Sequence, residues 1–136
     1  EMGCNMLFAA YFGVPTVMMS GDKAACQEAR ALVPNIEVAP VKYGVKYGPT
    51  SGLPAEQYRR LTGAAIYLHP EAARSLIKEK AKKGLERLGE IKPFWLEPPY
   101  ELVSKLRPAK EGEPMKVAIC RSNDLLELLN MPRKHE

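Results

Sequence analysis

Several patterns that mark common enzyme classes are absent from this chain of 136 residues. Its three cysteines, Cys4, Cys26 and Cys120, are odd in number and contain no CxxC spacing. A thiolate metal site is therefore not indicated, and the cysteines are expected to be reduced and buried, as in a cytoplasmic protein. The two histidines, His69 and His135, have no partner at ligand spacing. The chain alone therefore cannot assemble a histidine-based metal site or a Ser/His/Asp triad.

Phosphate-binding and nucleophile motifs are also missing. The glycines at 44, 48 and 52 fit neither GxxxxGK(S/T) nor GxGxxG, and there is no GxSxG. No apolar run approaches the ~20 residues that a membrane span needs, and no signal peptide is visible. We therefore expect no membrane partner.

The net charge of +4 comes mostly from one segment. Between Glu71 and Lys92 there are seven Lys or Arg and four Glu, which gives +3 of the +4. This segment has the pattern of the polar face of an amphipathic helix, and few aromatic residues are interspersed among its charges. A solvated helix face explains the charge, and a nucleic-acid partner is not expected.

The first third of the chain alternates between helical and extended patterns. Gly13 is suited to end the first helix, Gly21 to make a turn, and Asp22 to cap the second helix. Apolar residues on nearly every face predict that the first helix is buried. The predicted elements are helix Met2–Phe12, strand Val14–Met19, helix Lys23–Leu32 and strand Ile36–Val41. This order predicts a βαβ crossover with neighbouring parallel strands, within an α/β fold whose parallel or mixed sheet has flanking helices in a three-layer-like arrangement.

The remainder is less regular. A glycine-rich loop at Tyr43–Gly52 is a candidate functional loop, and Pro54–Thr62 has room for one or two helical turns. His69 is expected to cap a helix that runs to about Leu88. We divide the single region 1–136 into an α/β segment, 1–90, and a proline-rich extended segment with short strands and a terminal helix, 91–136, with His135 in a disordered tail. The buried stripe of the long helix is predicted to consist of Ala73, Ile77, Ala81, Leu85 and Leu88.

Glu1 and Asn5 are four residues apart, so a helix that begins near Glu1 would place both on one face. A carboxylate on the first turn of a buried helix is costly unless it is paired or bound to a metal. The alternative is a frayed terminus without a role. The spacing alone does not decide between these two interpretations.

The order of several motifs resembles the M55 family of metallo-aminopeptidases, the D-aminopeptidases of the DppA type. The likeness extends from Glu1 to about Leu106. It is carried by Glu1-Met-Gly-Cys-Asn-Met6, Tyr11-Phe-Gly-Val-Pro-Thr-Val17, Ser20-Gly-Asp22, Leu32-Val-Pro-Asn35, Leu68-His-Pro-Glu-Ala-Ala-Arg74 and Glu97-Pro-Pro-Tyr100.

The resemblance implies hydrolysis of N-terminal D-amino acids from short peptides by a two-zinc centre in a ring-shaped homo-oligomer. In the family, a Gly-Glu-x-Gly-x-Asn motif supplies one metal ligand. Glu1 falls on that ligand, and Asn5 is expected to orient it. The two zinc ions would acidify a bridging water and polarise the scissile carbonyl. The other ligands and the catalytic histidine belong to the family's N-terminal half, so this chain is expected to be an inactive C-terminal portion with no catalytic residue of its own.

The chain departs from the family in the stretch 47–62, which resembles an insertion, and at both ends. Two other hypotheses stay open at this stage. One is a non-catalytic α/β module that binds a small ligand or a partner through the Tyr43–Gly52 loop, and the other is a basic nucleic-acid-binding domain. Steep salt dependence of nucleic-acid retention would support the last hypothesis.

Overall fold

The computed structural model describes residues 2–46 and 48–136. The described strands form a three-stranded sheet in the order β1-β2-β3 and a two-stranded sheet, β4-β5. One compact unit contains the described residues up to Gly44 and Ala65–Trp95, and the other contains Val45–Ala64 and Leu96–Glu136. The elements are α1 (Met2–Tyr11), β1 (Met18–Asp22), α2 (Lys23–Leu32), β2 (Glu37–Val45), α3 (Ala55–Thr62), β3 (Ala64–Tyr67), α4 (Pro70–Glu86), β4 (Tyr100–Leu106), β5 (Lys116–Ser122) and α5 (Leu125–Asn130).

The predicted βαβ crossover and the α/β fold class are confirmed. Strands β1 and β2 pair in parallel, with Met18 opposite Glu37, and α2 connects them over the predicted residues. Strand β1 begins at Met18 rather than Val14, and Val14 itself belongs to the turn that closes the first helix. Gly13 adopts a φ of 72°, and the Val14 amide donates to the Ala9 carbonyl at 3.0 Å.

One carboxylate organises the end of β1. The Asp22 side chain accepts hydrogen bonds from the Ala24 amide at 2.8 Å and from the Gly44 amide at 3.1 Å. The first bond is the predicted N-cap of α2. The second attaches the same turn to the end of β2, while Gly21 passes through a φ of 139° that only glycine adopts readily. Asp22 therefore connects the β1–α2 turn to the end of β2, at the point where the register of the two strands shifts.

The core of the first unit lies between α1, α2 and the strands. Cys26 is 2% exposed within it, and burial raises the pKa of its thiol. Cys4 and Cys120 are only partly buried, and all three cysteines are free thiols. The buried cluster consists of Met6, Cys26, Ala29, Val33, Ile36, Val38 and Ile91.

The prediction that the first helix is buried is wrong for one of its sides. Helix α1 buries Met6, Leu7 and Ala10, whereas Phe8, and Phe12 just after the end of the helix, are 45% and 60% exposed. The reason is that α1 packs on α2 through one side, where a Cβ on Gly3 would approach Leu32 to 3.2 Å. The apolar composition of α1 could not predict that no described residue packs against its other side.

The predicted buried stripe of the long helix is wrong, because Ala73, Ile77 and Ala81 are only partly buried and the two leucines are exposed. Leu85 and Leu88 are 65% and 50% exposed. Helix α4 instead contacts β1 near the buried Gly84, where an added Cβ would lie 2.7 Å from the Val17 carbonyl oxygen. Because the helix packs on β1 through Gly84, the neighbouring Leu85 stays exposed, and Leu88 follows the end of the helix.

The second unit is built on an antiparallel pair in which Tyr100 lies opposite Ser122 and Leu106 opposite Lys116. The Asp124 side chain accepts a hydrogen bond from the Glu127 amide at 2.7 Å and so caps the start of α5. The expected disorder of the terminal tail is wrong. Val117 and Glu136 exchange two backbone hydrogen bonds of 2.9 and 3.2 Å because the edge of β5 offers unpaired backbone groups.

Candidate metal centre

The predicted metal site begins at the N-terminus of α1. Asn5 lies on this helix with its side chain exposed, so its amide is accessible to a neighbouring group. Glu1, the predicted ligand, lies outside the described residues. The structure therefore positions Asn5 and leaves the assignment of Glu1 to the sequence motif.

The described residues do not by themselves supply a zinc site. Within 2–46 and 48–136, no three His, Cys, Asp or Glu side chains lie close enough together to hold a metal ion. A catalytic zinc ordinarily takes three protein ligands. The zinc that the family resemblance implies therefore does not fit this donor set on its own.

The two histidines belong to different units of the chain. His69 is the N-cap residue of α4, as predicted, but its exposed side chain makes no capping hydrogen bond. Pro70 is the first residue of the helix. His135 lies in the second unit, where its Nε2 is 2.9 Å from the Ser104 hydroxyl. The expectation that neither histidine is a metal ligand stays a prediction.

A cluster that the sequence patterns did not reveal surrounds Glu37 at the start of β2. Its carboxylate accepts from Lys80 Nζ at 3.0 Å and from Arg87 Nη1 at 2.8 Å. The hydrogen bond from Lys80, with that from Arg87, holds the pKa of Glu37 below its ordinary value. The two partners are 43 and 50 positions away in the chain, so no local sequence pattern could predict the cluster. Each carboxylate oxygen accepts a hydrogen bond from one cation, so Glu37 connects β2 to α4 and to the residue after it.

The prediction of a loop at Tyr43–Gly52 is wrong at its start, because β2 continues to Val45. Lys23 Nζ lies 5.8 Å from the centroid of the Tyr43 ring, and the Gly44 amide binds Asp22. A surface cavity of about 270 Å³ lies elsewhere in the first unit, and none of the described residues of the Tyr43–Gly52 segment lines it. Its lining residues are Leu32, Val33, Pro34, Asn35, Glu90, Lys92, Pro93 and Phe94.

No helix in the described parts of the chain has the length and apolar character needed to cross a membrane. This result agrees with the absence of a long apolar run in the sequence.

Comparison with known proteins gives consistent results. The profile of peptidase family M55, described as D-aminopeptidase, matches residues 1–120. The D-aminopeptidase of Bacillus subtilis (strain 168) is 31% identical over 113 residues, which cover 83% of this chain and 35% of that protein.

A similar solved structure is the Zn-dependent D-aminopeptidase DppA from Bacillus subtilis, described as a self-compartmentalizing protease. It is 26% identical with a TM-score of 0.58, and the match covers 88% of this chain and 33% of that chain. The chain thus spans about a third of the length of these relatives. On the strength of the match over residues 1–120, the chain belongs to peptidase family M55, the D-aminopeptidases.

Proposed function

We propose that this chain is the C-terminal portion of a zinc-dependent D-aminopeptidase that releases N-terminal D-amino acids from short peptides. The observation that carries the proposal is the match of residues 1–120 to a family described as D-aminopeptidase. The zinc dependence of the similar structure supports the choice of metal. The substrate class follows from the resemblance.

In this proposal Glu1 is one ligand of a two-zinc centre, and Asn5 orients it. The zinc ions would supply Lewis-acid activation of water and of the scissile carbonyl. Asn5 is exposed on the first turns of α1, where a side-chain amide can donate to a carboxylate one turn earlier. The remaining Asp, Glu and His ligands and the catalytic histidine are assigned to the part of the family that this chain does not match.

The proposal extends to location and assembly. Free cysteines suit a cytoplasmic enzyme. The description of the similar structure as self-compartmentalizing supports a homo-oligomer. No role for nucleic acid or membrane is proposed.

The test is the substitution Glu1→Gln in the complete enzyme, with zinc content and turnover of a D-alanyl peptide as readouts. A neutral amide is a poor zinc ligand, so metal occupancy and turnover should fall together. Changes to residues that only orient a ligand cost about 10–100-fold, so loss of a ligand should cost at least that. Asn5→Ala should have a milder effect because it removes only an orienting contact.

Circular dichroism controls for folding, and an L-alanyl peptide controls for specificity. Near-wild-type zinc content and turnover in Glu1→Gln would contradict the ligand assignment. Faster turnover of the L-alanyl peptide by the wild-type enzyme would contradict the substrate class. Absence of turnover of either peptide by the wild-type enzyme would instead favour the rival hypothesis, a non-catalytic module acting through the Tyr43–Gly52 segment.

A further inference from the structure

The last residues of the chain lie alongside β5 and pair with it. Val117 and Glu136 exchange two backbone hydrogen bonds, of 2.9 Å and 3.2 Å, which is the pattern of a directly opposed antiparallel pair. Counting back one residue in this register places His135 opposite Ala118. Ala118 in turn lies opposite Ser104 of β4. Directly opposed residues share one face of a sheet, so Ser104, Ala118 and His135 form a row across β4, β5 and the terminal segment.

One hydrogen bond, here called the Ser104–His135 bridge, joins the two ends of this row. The His135 Nε2 lies 2.9 Å from the Ser104 hydroxyl, although β5 lies between the two residues. The hydroxyl can donate to this nitrogen or accept from it, so the bond forms with either imidazole tautomer. Neighbouring strands are ~4.8 Å apart, so the bridge spans about 10 Å of backbone separation. The small, 3% exposed Ala118 permits this, because a longer side chain in the middle of the row would separate the two groups.

The edge of β5 that the terminal segment covers has the composition of a strand that pairs readily. It contains the uninterrupted apolar run Val117–Cys120, in which Ile119 is 51% exposed. A free edge of this kind presents unpaired backbone groups to any other extended chain. The terminal segment itself is polar and largely exposed, and lysine or arginine on an outer strand opposes further pairing. Its residues are Arg133, Lys134, His135 and Glu136.

We propose that residues 133–136 are a strap that closes the outer edge of β5, and that the Ser104–His135 bridge holds the strap in place. When the strap leaves, the edge pairs with the same edge of a second copy of this chain. A second copy is the occupant because an antiparallel edge is self-complementary about a twofold axis. The proposal involves neither metal nor substrate, so it does not depend on the proposed function.

The first test is hydrogen exchange of the Val117 amide, measured by NMR in the full chain. This amide donates to the Glu136 carbonyl, so its protection reports whether the strap is closed. His135→Ala and Ser104→Ala should each lower the protection about two- to tenfold, the range expected for one neutral hydrogen bond. The double variant should lose no more than the larger single effect, because both substitutions remove the same bond.

Lys134→Ala is the matched control for the first test. Lys134 is exposed and, as the neighbour of His135, points to the opposite face of the strap. Its replacement should change the protection of the Val117 amide less than about twofold. Wild-type protection in His135→Ala, or an equal loss in Lys134→Ala, would overturn the role of the bridge.

The second test removes the strap. A chain that ends at Met131 should self-associate with a dimer dissociation constant at least about tenfold lower than that of the 136-residue chain, measured by sedimentation. Ile119→Lys in the shortened chain should reverse this gain, because a lysine on an exposed edge strand opposes edge-to-edge pairing. Circular dichroism controls for folding, and the point variants of the first test keep the proposal testable if the shortened chain does not fold.

Each other outcome of the second test also has a defined meaning. A folded, shortened chain that associates no more tightly than the 136-residue chain overturns the strap as an edge cover. Tighter association that Ile119→Lys leaves unchanged overturns the second copy as the occupant of this edge. Zinc content and peptide turnover of the complete enzyme are separate readouts, so a failure here is distinguishable from a failure of the proposed function.

Discussion

At the scale of the residue, Glu37 illustrates how a charge is retained at a partly buried position. Its side chain is 13% exposed, and its two cationic partners approach from α4 and from the residue that caps that helix. A partly buried carboxylate is costly without partners, and two charge-assisted hydrogen bonds offset that cost. Glu56 has a similar pair of cations, Arg59 and Arg60, but on an exposed surface.

Replacing Glu37 should destabilise the chain in a pH-dependent way. The folded-state pKa of Glu37 is lowered, chiefly by the Lys80 hydrogen bond, so its stabilising contribution is present above the unfolded-state pKa of ~4.3. The contribution is lost as pH falls through the lower, folded-state pKa. Glu37→Gln should therefore lower the free energy of unfolding by about 1–3 kcal/mol at pH 7, and the difference from wild type should shrink towards pH 3. Denaturant unfolding of wild type and variant at pH 7 and at pH 3 measures this difference in unfolding free energy.

The matched control is Glu56→Gln. The guanidinium of Arg59, with that of Arg60, lowers the pKa of Glu56 to about 2, yet the pair is exposed and screened by solvent. Its replacement should change stability little at pH 7. An equal loss of unfolding free energy in both variants would contradict the stabilising role of Glu37. The same loss for Glu37→Gln at both pH values would also contradict it.

At the scale of the element, sequence was most informative where a local signal had a single interpretation. The bounds of α2 were predicted to the residue because Asp22 caps its start and Pro34 prevents its continuation. Neither the exposed side of α1 nor the packing of α4 on β1 through Gly84 was predicted. Both depend on which neighbour approaches which face, and this is set by residues distant in the chain. The pairing of the tail with β5 was missed for the same reason.

The contact between α4 and β1 predicts the effect of one substitution. On helix propensity alone, Gly84→Ala would stabilise an exposed helix by about 1 kcal/mol. Here the new Cβ would lie 2.7 Å from the Val17 carbonyl oxygen, which is backbone and cannot rotate away. The variant should therefore be destabilised by about 1–3 kcal/mol. Gly89→Ala, with nothing within 4 Å of its added Cβ, should stay within about 0.5 kcal/mol of wild type.

Thermal unfolding of the two variants provides the measurement. A Gly84→Ala variant as stable as wild type, or more stable, would show that the helix can move away from β1 at no cost. The exposure of Leu85 beside the helix–strand contact would then need another explanation.

At the scale of the whole molecule, the family could be recognised from ordered motifs, whereas the site could be recognised only in part. The motif from Glu1 to Asn5 identifies one ligand and its neighbour by resemblance. No pattern in this sequence contains the other ligands that a catalytic zinc requires. The assignment of 1–90 and 91–136 as separate segments stays a prediction, as does the ligand role of Glu1.

The central claim is that this chain contributes one ligand to a zinc site completed by residues that it does not contain. The most direct test is the amount of zinc bound by the purified 136-residue chain after dialysis, measured together with turnover of a D-alanyl peptide. The account predicts well under one zinc per chain and no turnover, since one carboxylate cannot hold a catalytic zinc. Stoichiometric zinc that survives dialysis, or clear D-aminopeptidase turnover by the chain alone, would contradict it.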